Sequence, residues 1–576
     1  ENGCYCLAFT PDGRTLTTAG TGDGQVRFWD AATGQELHHW AYPWNAMRLA
    51  FAPDGKTLAV GGGGMIRLLE AATGRDVLPR PGPPDGILSV AFTPDGETLI
   101  ASSADGSVGL WEAATGKPRS PLRGPPRGRA ALPPRAYQAR VARDGRLAAA
   151  LDDRGTIRLW DTAAGQEPAR LDGPPALFNG LALAPDGRAL AAVHQDNTLR
   201  VWDPATGKLL WQFALSDADR TYPAAFSPDG TVLATSSWSG RAGAIRLWDA
   251  ATGKPLRVLH CPAPGTKNLM AFSADGRFLA APPASALEGG PRPEGEQTLV
   301  RVWEIATGRE VCQLTGPPAD VYALAFAPDG RTLATGANAG QVDLWELASG
   351  RVRRHWRGHD RPGDLVLAVA FSGDGRLLAS GCNDHTALVW DVTGRHDGGR
   401  RADELRPGEM DRLWADLADR DAGKASEALW VLVAFPDEAV PLLRERVRPA
   451  VAPEPRRLAQ LLADLDSDRF EERTKATQEL EGLGDLAEPA LRKALDGPLS
   501  PEARRRVEGL LEALAGPVSA PERLRVLRAV QALEQMGTAE ARAALEALAG
   551  GAAEARLTRE AKASLERLAR RDSLKP

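Results

Sequence analysis

"IRLWDAATGK", residues 245–254, ends an alternating apolar run on a tryptophan and an aspartate and follows them with Ala-Ala-Thr-Gly. Near-copies recur as "VRFWDAATG" ending at Gly34, "IRLLEAATG" at Gly74, "VGLWEAATG" at Gly116, "IRLWDTAAG" at Gly165 and "LRVWDPATG" at Gly207. They continue as "VRVWEIATG" at Gly308, "VDLWELASG" at Gly350 and "ALVWDVTG" at Gly394, which with the first makes nine. A carboxylate repeated in this way admits three readings: a row of catalytic acids, a row of metal ligands, or the punctuation of a repeated fold. Only the third needs no chemistry.

Each copy is preceded by a second signal such as "LAFAPDGKTL" or "AAFSPDGTVL", whose aspartates fall at Asp12, Asp54, Asp95, Asp144, Asp186, Asp229, Asp275, Asp329 and Asp374. Their spacing of 41 to 54 residues is the period of a unit of four short strands. Within a unit, short alternating apolar runs are separated by turn residues, which is a strand pattern and not a helical one. In "SPDGT", residues 227–231, proline sets the first turn φ, the aspartate side chain bonds the backbone ahead, and glycine accepts the positive φ that closes the hairpin. The second turn, after each tryptophan, is built on the same logic. The repeated aspartates therefore have structural work before any catalysis is considered.

These residues resemble the WD40 family of β-propellers, over roughly residues 1–394. The ninth repeat carries the fullest form, with "GHD" at 358–360 and "LLASGCNDHTALVWD" at 377–391. The resemblance implies a hydrogen-bonded structural tetrad of His359, Ser380, Asp384 and Trp390. The other repeats lack the Gly-His element and Leu69 replaces tryptophan in the second, so those blades are expected to rest on packing and backbone ladders. The chain opens directly at an innermost strand, "CYCLAF", and no strand pattern follows Trp390. A segment of a longer protein is the expectation. Two ring arrangements stay open. In one, repeats three to nine form a seven-bladed ring closed by the segment at 74–79, and the first two belong to an upstream ring. In the other, a single ring holds eight or nine blades.

After Gly394 the apolar period changes from two to 3.6. "KASEALWVLVAF" with "DEAVPLLRERV", "EERTKATQELEGLG" with "LAEPALRKAL", and "PERLRVLRAVQALEQMG" with "AEARAALEAL" read as three helix pairs. The last two align on Gly484 and Gly537, with Leu495 matching Leu548. Such pairs resemble HEAT-type repeats, which bury apolar faces by stacking; an irregular bundle is the alternative. The expected fold is thus an all-β propeller region of nine WD40-like repeats, 1–394, followed by an all-α solenoid-like or bundle domain, 395–576.

Composition narrows function. With 70 Lys plus Arg against 75 Asp plus Glu, the net charge is -5 over 576 residues, and neither part is the basic domain that nucleic-acid binding calls for. No run of about 18 apolar residues is present to span a membrane. Cys4, Cys6, Cys261, Cys312 and Cys382 lack the spacing of a zinc site or disulfide framework and read as small apolar fillers, with Cys4 and Cys6 on one strand face. Without a disulfide framework the default compartment is cytoplasmic.

Sharper chemical readings fail on geometry. The run "GGGG" at 61–64 lacks the Lys and Ser/Thr of a phosphate loop and sits between strands. His38 and His39 are neighbours on one strand, so they point to opposite faces and cannot chelate together. "NDHT" at 383–386 belongs to the tetrad turn. No catalytic, cofactor or metal residue is assigned, and no cofactor is expected. The function read from the sequence is a noncatalytic scaffold that binds a protein or peptide partner. A sensory or targeting region of a larger enzyme, such as an upstream kinase, is the alternative, and a propeller enzyme ranks below both.

Two units are longer than the rest. From Trp111 to Asp144 the interval is 33 residues where 25 to 29 is usual, and from Asp275 to Trp303 it is 28 where 15 to 19 is usual. The extra segments are "RGPPRGRAALPPRAYQ" and "PPASALEGGPRPEGEQ". In a WD-type blade both insertions emerge on one face. One carries Arg123, Arg127, Arg129, Arg135 and, just beyond, Tyr137; the other carries Glu288, Glu294 and Glu296. The expectation is that this face captures an acidic or proline-rich protein segment, since binding residues concentrate on loops held by rigid scaffolds.

Overall fold

The repeated turns decide where the strands stop. At 227–232 the Ser227 hydroxyl donates to Asp229 Oδ1 (2.5 Å), the Thr231 N–H donates to the same oxygen (3.1 Å), and the Val232 N–H donates back to Ser227 Oγ (3.0 Å). Thr10, Asp12, Arg14 and Thr15 repeat the arrangement in the first unit. Among the described residues, the glycine after the aspartate takes the left-handed conformation, as at Gly13 (φ 70°) and Gly230 (φ 75°). In the second turn, Asp249 Oδ1 accepts from both the backbone N–H and the hydroxyl of Thr252 at 2.7 Å, and Gly253 closes the turn at φ 70°. Asp30 does the same with Thr33. These bonds hold the Asp249 and Asp30 carboxyls below the usual carboxylate range, the Thr252 hydroxyl contributing most to the first and the Thr33 N–H most to the second. The repeated aspartate is punctuation.

The computed structural model describes residues 3–573 apart from 22–24, 42–47, 53, 63–64, 74–75, 82–86, 93–97, 104–107, 113–117, 123–138, 142–146, 152–156, 162–165, 172–177, 195–197, 216–219, 240–241, 261–268, 283–297, 317–319, 360–363, 384–386 and 394–407. Within these, consecutive strands form antiparallel meanders in strict chain order, eight sheets of four strands and a last of three. The segments ending near Trp160, Trp202 and Trp248 are the third strands Ile157–Asp161, Thr198–Trp202 and Ala242–Asp249. The last sheet holds Val366–Phe371, Leu377–Cys382 and Ala387–Asp391.

Cores lie between successive sheets. Ala182, Val193, Leu199 and Val201 of the fifth sheet pack with Phe226, Leu233 and Trp248 of the sixth. Ala234, Ile245 and Leu259 on the other face of the sixth meet Leu279, Ala281 and Trp303 of the seventh. Each such sheet buries both faces, and this is why its inner strands read as runs of Ala, Val and Leu. Leu69, which stands where other repeats carry tryptophan, is fully buried. The segment at 74–79, assigned to ring closure in the seven-bladed reading, instead contributes the strand Asp76–Pro81, paired with Met65–Glu70 of its own sheet. The first strand, Gly3–Phe9, packs against Val366–Phe371 and Leu377–Cys382, so the first sheet neighbours the last.

One detail of the first strand departs from the sequence reading. A register shift between Cys4 and Cys6 interrupts the alternation that placed both on one face. Cys6 is half-buried, and Cys312 and Cys382 are buried and form no disulfide; burial pushes the Cys312 thiol up to about 12, against any nucleophilic role.

Compactness divides the chain into Glu1–Gly308 with Gln313–Leu344 and His355–Val392, and a second unit of Arg309–Cys312, Trp345–Arg354 and Thr393–Pro576. Among the described residues the second unit holds ten α-helices: α1 Glu409–Asp416, α2 Ala422–Ala434, α3 Pro436–Arg446, α4 Pro455–Asp464, α5 Phe470–Leu483, α6 Glu488–Leu495, α7 Pro501–Ala515, α8 Pro521–Met536, α9 Ala539–Ala549 and α10 Arg556–Ser573. Their starts follow capping chemistry. Asp421, Ser500 and Thr538 accept from first-turn N–H groups, and proline opens α3, α4, α7 and α8. Gly484 and Gly537, aligned in the sequence, both take positive φ, at 60° and 63°. The pairs α2–α3, α5–α6 and α8–α9 are those read from the sequence. The helices α1, α4, α7 and α10 add to them, and α10 packs on both α8 and α9.

Inside this unit Glu346 is buried between two arginines. Arg528 holds it in a two-pronged bond, Nε to Oε1 at 2.9 Å and Nη2 to Oε2 at 2.7 Å, and Arg353 Nη2 donates to Oε1 at 2.9 Å. Arg528 Nη1 also donates to the Leu417 and Asp419 carbonyls, and Arg353 Nη2 to Gln531 Oε1, all at 2.7 Å. Burial alone would raise the Glu346 pKa. The Arg353 charge, the bonds and charge of Arg528 and the Ser349 hydroxyl outweigh it and bring it to about 2.

Candidate partner-binding site

Strand alternation fixes where the two insertions leave the scaffold. The first joins the fourth strand of the third sheet, Pro118–Leu122, to the first strand of the next, Ala139–Val141. The second joins Phe278–Ala281 to Thr298–Glu304, the second and third strands of the seventh sheet. In a four-stranded antiparallel meander, the second and fourth strands end where the first begins. Both insertions therefore open at the same end of their sheets, as the repeat pattern predicts. The side chains named for them, Arg123, Arg127, Arg129, Arg135, Tyr137, Glu288, Glu294 and Glu296, lie outside the described residues.

The tetrad is present in three of its members. Trp390 Nε1 donates to Ser380 Oγ at 2.9 Å, and the same hydroxyl meets His359 Nε2 at 3.0 Å. His359 and Ser380 are buried, and Trp356 stacks on Trp390 with ring centroids 5.5 Å apart. Asp384 lies outside the described residues. Since Ser380 accepts from the indole, its own proton is available to the imidazole, so this hydroxyl serves two buried groups. Ser380→Ala leaves both without it and is expected to cost about 1–3 kcal/mol, read as a lower urea midpoint for tryptophan fluorescence. An unchanged midpoint would assign the arrangement no stabilising role.

Other repeats keep more of this device than the missing Gly-His suggests. Trp29 Nε1 donates to Thr18 Oγ1 (3.0 Å) and Trp248 Nε1 to Thr235 Oγ1 (2.9 Å). Thr18, Thr235 and Ser380 all stand two residues beyond the leucine that pairs with the tryptophan, Leu16, Leu233 and Leu378. The expectation that those blades rest on packing and ladders alone is corrected. Aligning the second strands, and not the Gly-His element, is the signal that finds the hydroxyls.

Neighbouring repeats are also latched to one another. Trp211 Nε1 donates to the Ala250 carbonyl (2.9 Å), and Arg257 Nη2 donates to that of Ala306 (2.5 Å). Each reaches from a fourth strand into the turn after the next repeat's tryptophan. The left-handed glycines Gly253 and Gly308 lie beneath them, where a Cβ would overlap the Trp211 ring or the Arg257 chain.

The remaining chemical candidates resolve structurally. His38 stacks on Phe28 at 4.3 Å, while its neighbour His39 turns outward to Glu36. Burial lowers the His38 pKa. Sequence reasoning missed one histidine chain: Asp343 Oδ1 to His355 Nδ1 at 2.5 Å, and Arg357 Nε donating to His355 Nε2 at 3.0 Å. Arg357 requires Nε2 as acceptor, so Nδ1 carries the proton toward Asp343. Among the described residues the other partner of Asp343 is Gln341, and no hydroxyl or thiol stands at the open end to be activated. Also among the described residues, no group of three or more His, Cys, Asp or Glu is placed to hold a metal ion, and no helix is long and apolar enough to cross a membrane.

Two family matches agree with this architecture. The WD40 family, described as WD domain, G-beta repeat, matches residues 1–30, 224–249, 308–346 and 350–391. A second propeller family, described as outer membrane protein assembly factor BamB, matches residues 22–223. Among solved structures, the crystal structure of the computationally designed Ika8 protein is 21% identical and aligns over 68% of this chain and 96% of its own with a TM-score of 0.41.

Proposed function

This chain carries WD40 repeats, and from that premise we propose that it is a noncatalytic scaffold that captures a protein partner on the insertion-bearing end of its sheets. Propellers of this kind generally mediate protein interactions. The observation that carries the reading is the shared exit of the two long insertions from one sheet end. The sheets bury both faces against their neighbours, which leaves binding to the connections. The partner proposed is an acidic or proline-rich protein segment, recognised by Tyr137 and the arginines at Arg123, Arg127, Arg129 and Arg135. Arginine gives two-pronged recognition of carboxylates, and the prolines flanking these residues lower the entropy lost on ordering. The helical part offers a second surface, with solenoid-like stacking as its proposed architecture.

The test isolates a partner by affinity capture with the whole chain, purifies it, and measures its affinity for variants lacking 123–136 or 282–296. Deleting 123–136 is expected to weaken binding at least tenfold at low salt and to flatten the salt dependence, because the arginines act partly through screened charge. If both deletion variants stay folded and bind as the parent does, the reading fails.

A further inference from the structure

We propose that the open cavity lined by α5, α7, α8 and α10 binds a free, single-chain amphiphilic carboxylate. The cavity measures about 300 Å³, at the small end of ligand sites. Its wall is mainly apolar, built from Leu483, Leu486, Leu514, Val526, Leu527 and Leu557. An apolar body is therefore what it accepts.

Charge selects the head group. Two arginines and two acids also line the cavity: Arg523, Arg556, Asp485 and Glu522. Glu522 is already paired with Arg525 at 2.8 Å. Arg523 donates to the Glu481 and Gly482 carbonyls and lies against Gly484, where a Cβ would overlap its guanidinium. Its guanidinium is thus held by backbone carbonyls, and with Glu522 taken the cavity keeps two arginines against the single acid Asp485, a surplus of one positive charge. Arg556 remains. It is half-buried, and among the described residues no carboxylate lies within ion-pair distance of its guanidinium. A cation held at the rim of an apolar cavity without a counter-ion is complementary to a carboxylate whose chain enters the cavity. A purely apolar ligand would leave that charge unmatched, and a cationic one would oppose it.

Calorimetric titration of the whole chain with octanoate, below its micellar concentration, and with 1-octanol as the neutral probe tests this. Saturable one-to-one binding of octanoate is expected, at least tenfold tighter than octanol. Arg556→Gln should bring octanoate down to the octanol level and leave octanol unchanged. Leu514→Trp, which fills the cavity, should abolish both, and Leu527→Trp replaces it if the first variant unfolds. No saturable octanoate binding, equal affinities for the two probes, or an Arg556→Gln variant that titrates like the parent would each overturn the proposal.

Discussion

Glu346→Gln is expected to destabilise the helix-bearing unit by about 3–5 kcal/mol, the usual cost of removing one partner from a buried ion pair. Two guanidinium groups, Arg353 and Arg528, converge on this one carboxylate, and all three side chains are at most 5% exposed. Without the carboxylate two cations face each other in a site that water does not reach. The sign of the pH dependence follows from the lowered pKa. A carboxylate ionised in the folded state down to about 2, against about 4.3 when unfolded, contributes stability that is fully present above the unfolded value. That stability is lost as pH falls from there toward 2. Urea unfolding followed by helical circular dichroism between pH 7 and 2.5 should show this loss in the parent and a shallower one in the glutamine variant. Equal midpoints for the two proteins at pH 7 would show that the network contributes nothing. Replacing Glu346, Arg353 and Arg528 together by apolar residues of similar volume is expected to restore much of the loss, because the desolvation cost of all three charges disappears with the pair.

Gly340→Ala is expected to cost more than about 3 kcal/mol. Gly340 lies in the hairpin between Thr332–Ala337 and Gln341–Glu346, at φ 66° and directly after Ala339 at φ 57°. Two successive positive φ values make the tight turn that matches strand twist, and a side chain costs about 1–2 kcal/mol in that conformation. Close approach adds to this. A Cβ on Gly340 would stand 1.7 Å from the carbonyl oxygen of His359, so the backbone that presents the tetrad histidine must move. The Gly340 N–H also donates to the Asp364 carbonyl at 3.1 Å. The opposite change next door, Ala339→Gly, relieves the same strain and should raise the unfolding midpoint slightly. Hydrogen exchange at His359 and Asp364 distinguishes local from global loss: faster exchange is expected there in Gly340→Ala even where the variant still folds.

Much of the fold is legible because local rules and the tertiary structure agree. The glycines after the repeated aspartates take positive φ wherever they are described, as at Gly187, Gly276 and Gly330, and an Asp-Gly pair between apolar runs announces such a turn. Gly484 and Gly537 are legible for the same reason. The helix α7 is harder to read: in "PEARRRVEGLLEALA", clustered arginines and glutamates dilute the apolar stripe. Glu346 shows the limit of local reading. It occupies the repeat position of Asp249 and keeps its turn role, since the Ser349 hydroxyl donates to it as Thr252 does to Asp249. What makes it different is Arg528, 182 residues away, and no local pattern announces so distant a partner. The seven-bladed ring closure failed for a related reason: pairing of Asp76–Pro81 with its own sheet is decided by which edges meet in space.

Partner capture is proposed to take place on the two long connections. Hydrogen–deuterium exchange of the chain, free and saturated with its purified partner, tests it most directly. New protection is expected to concentrate in residues 123–138 and 283–297, with the inner strands unchanged. Protection confined to the helices between residues 409 and 573, with neither connection affected, would contradict it.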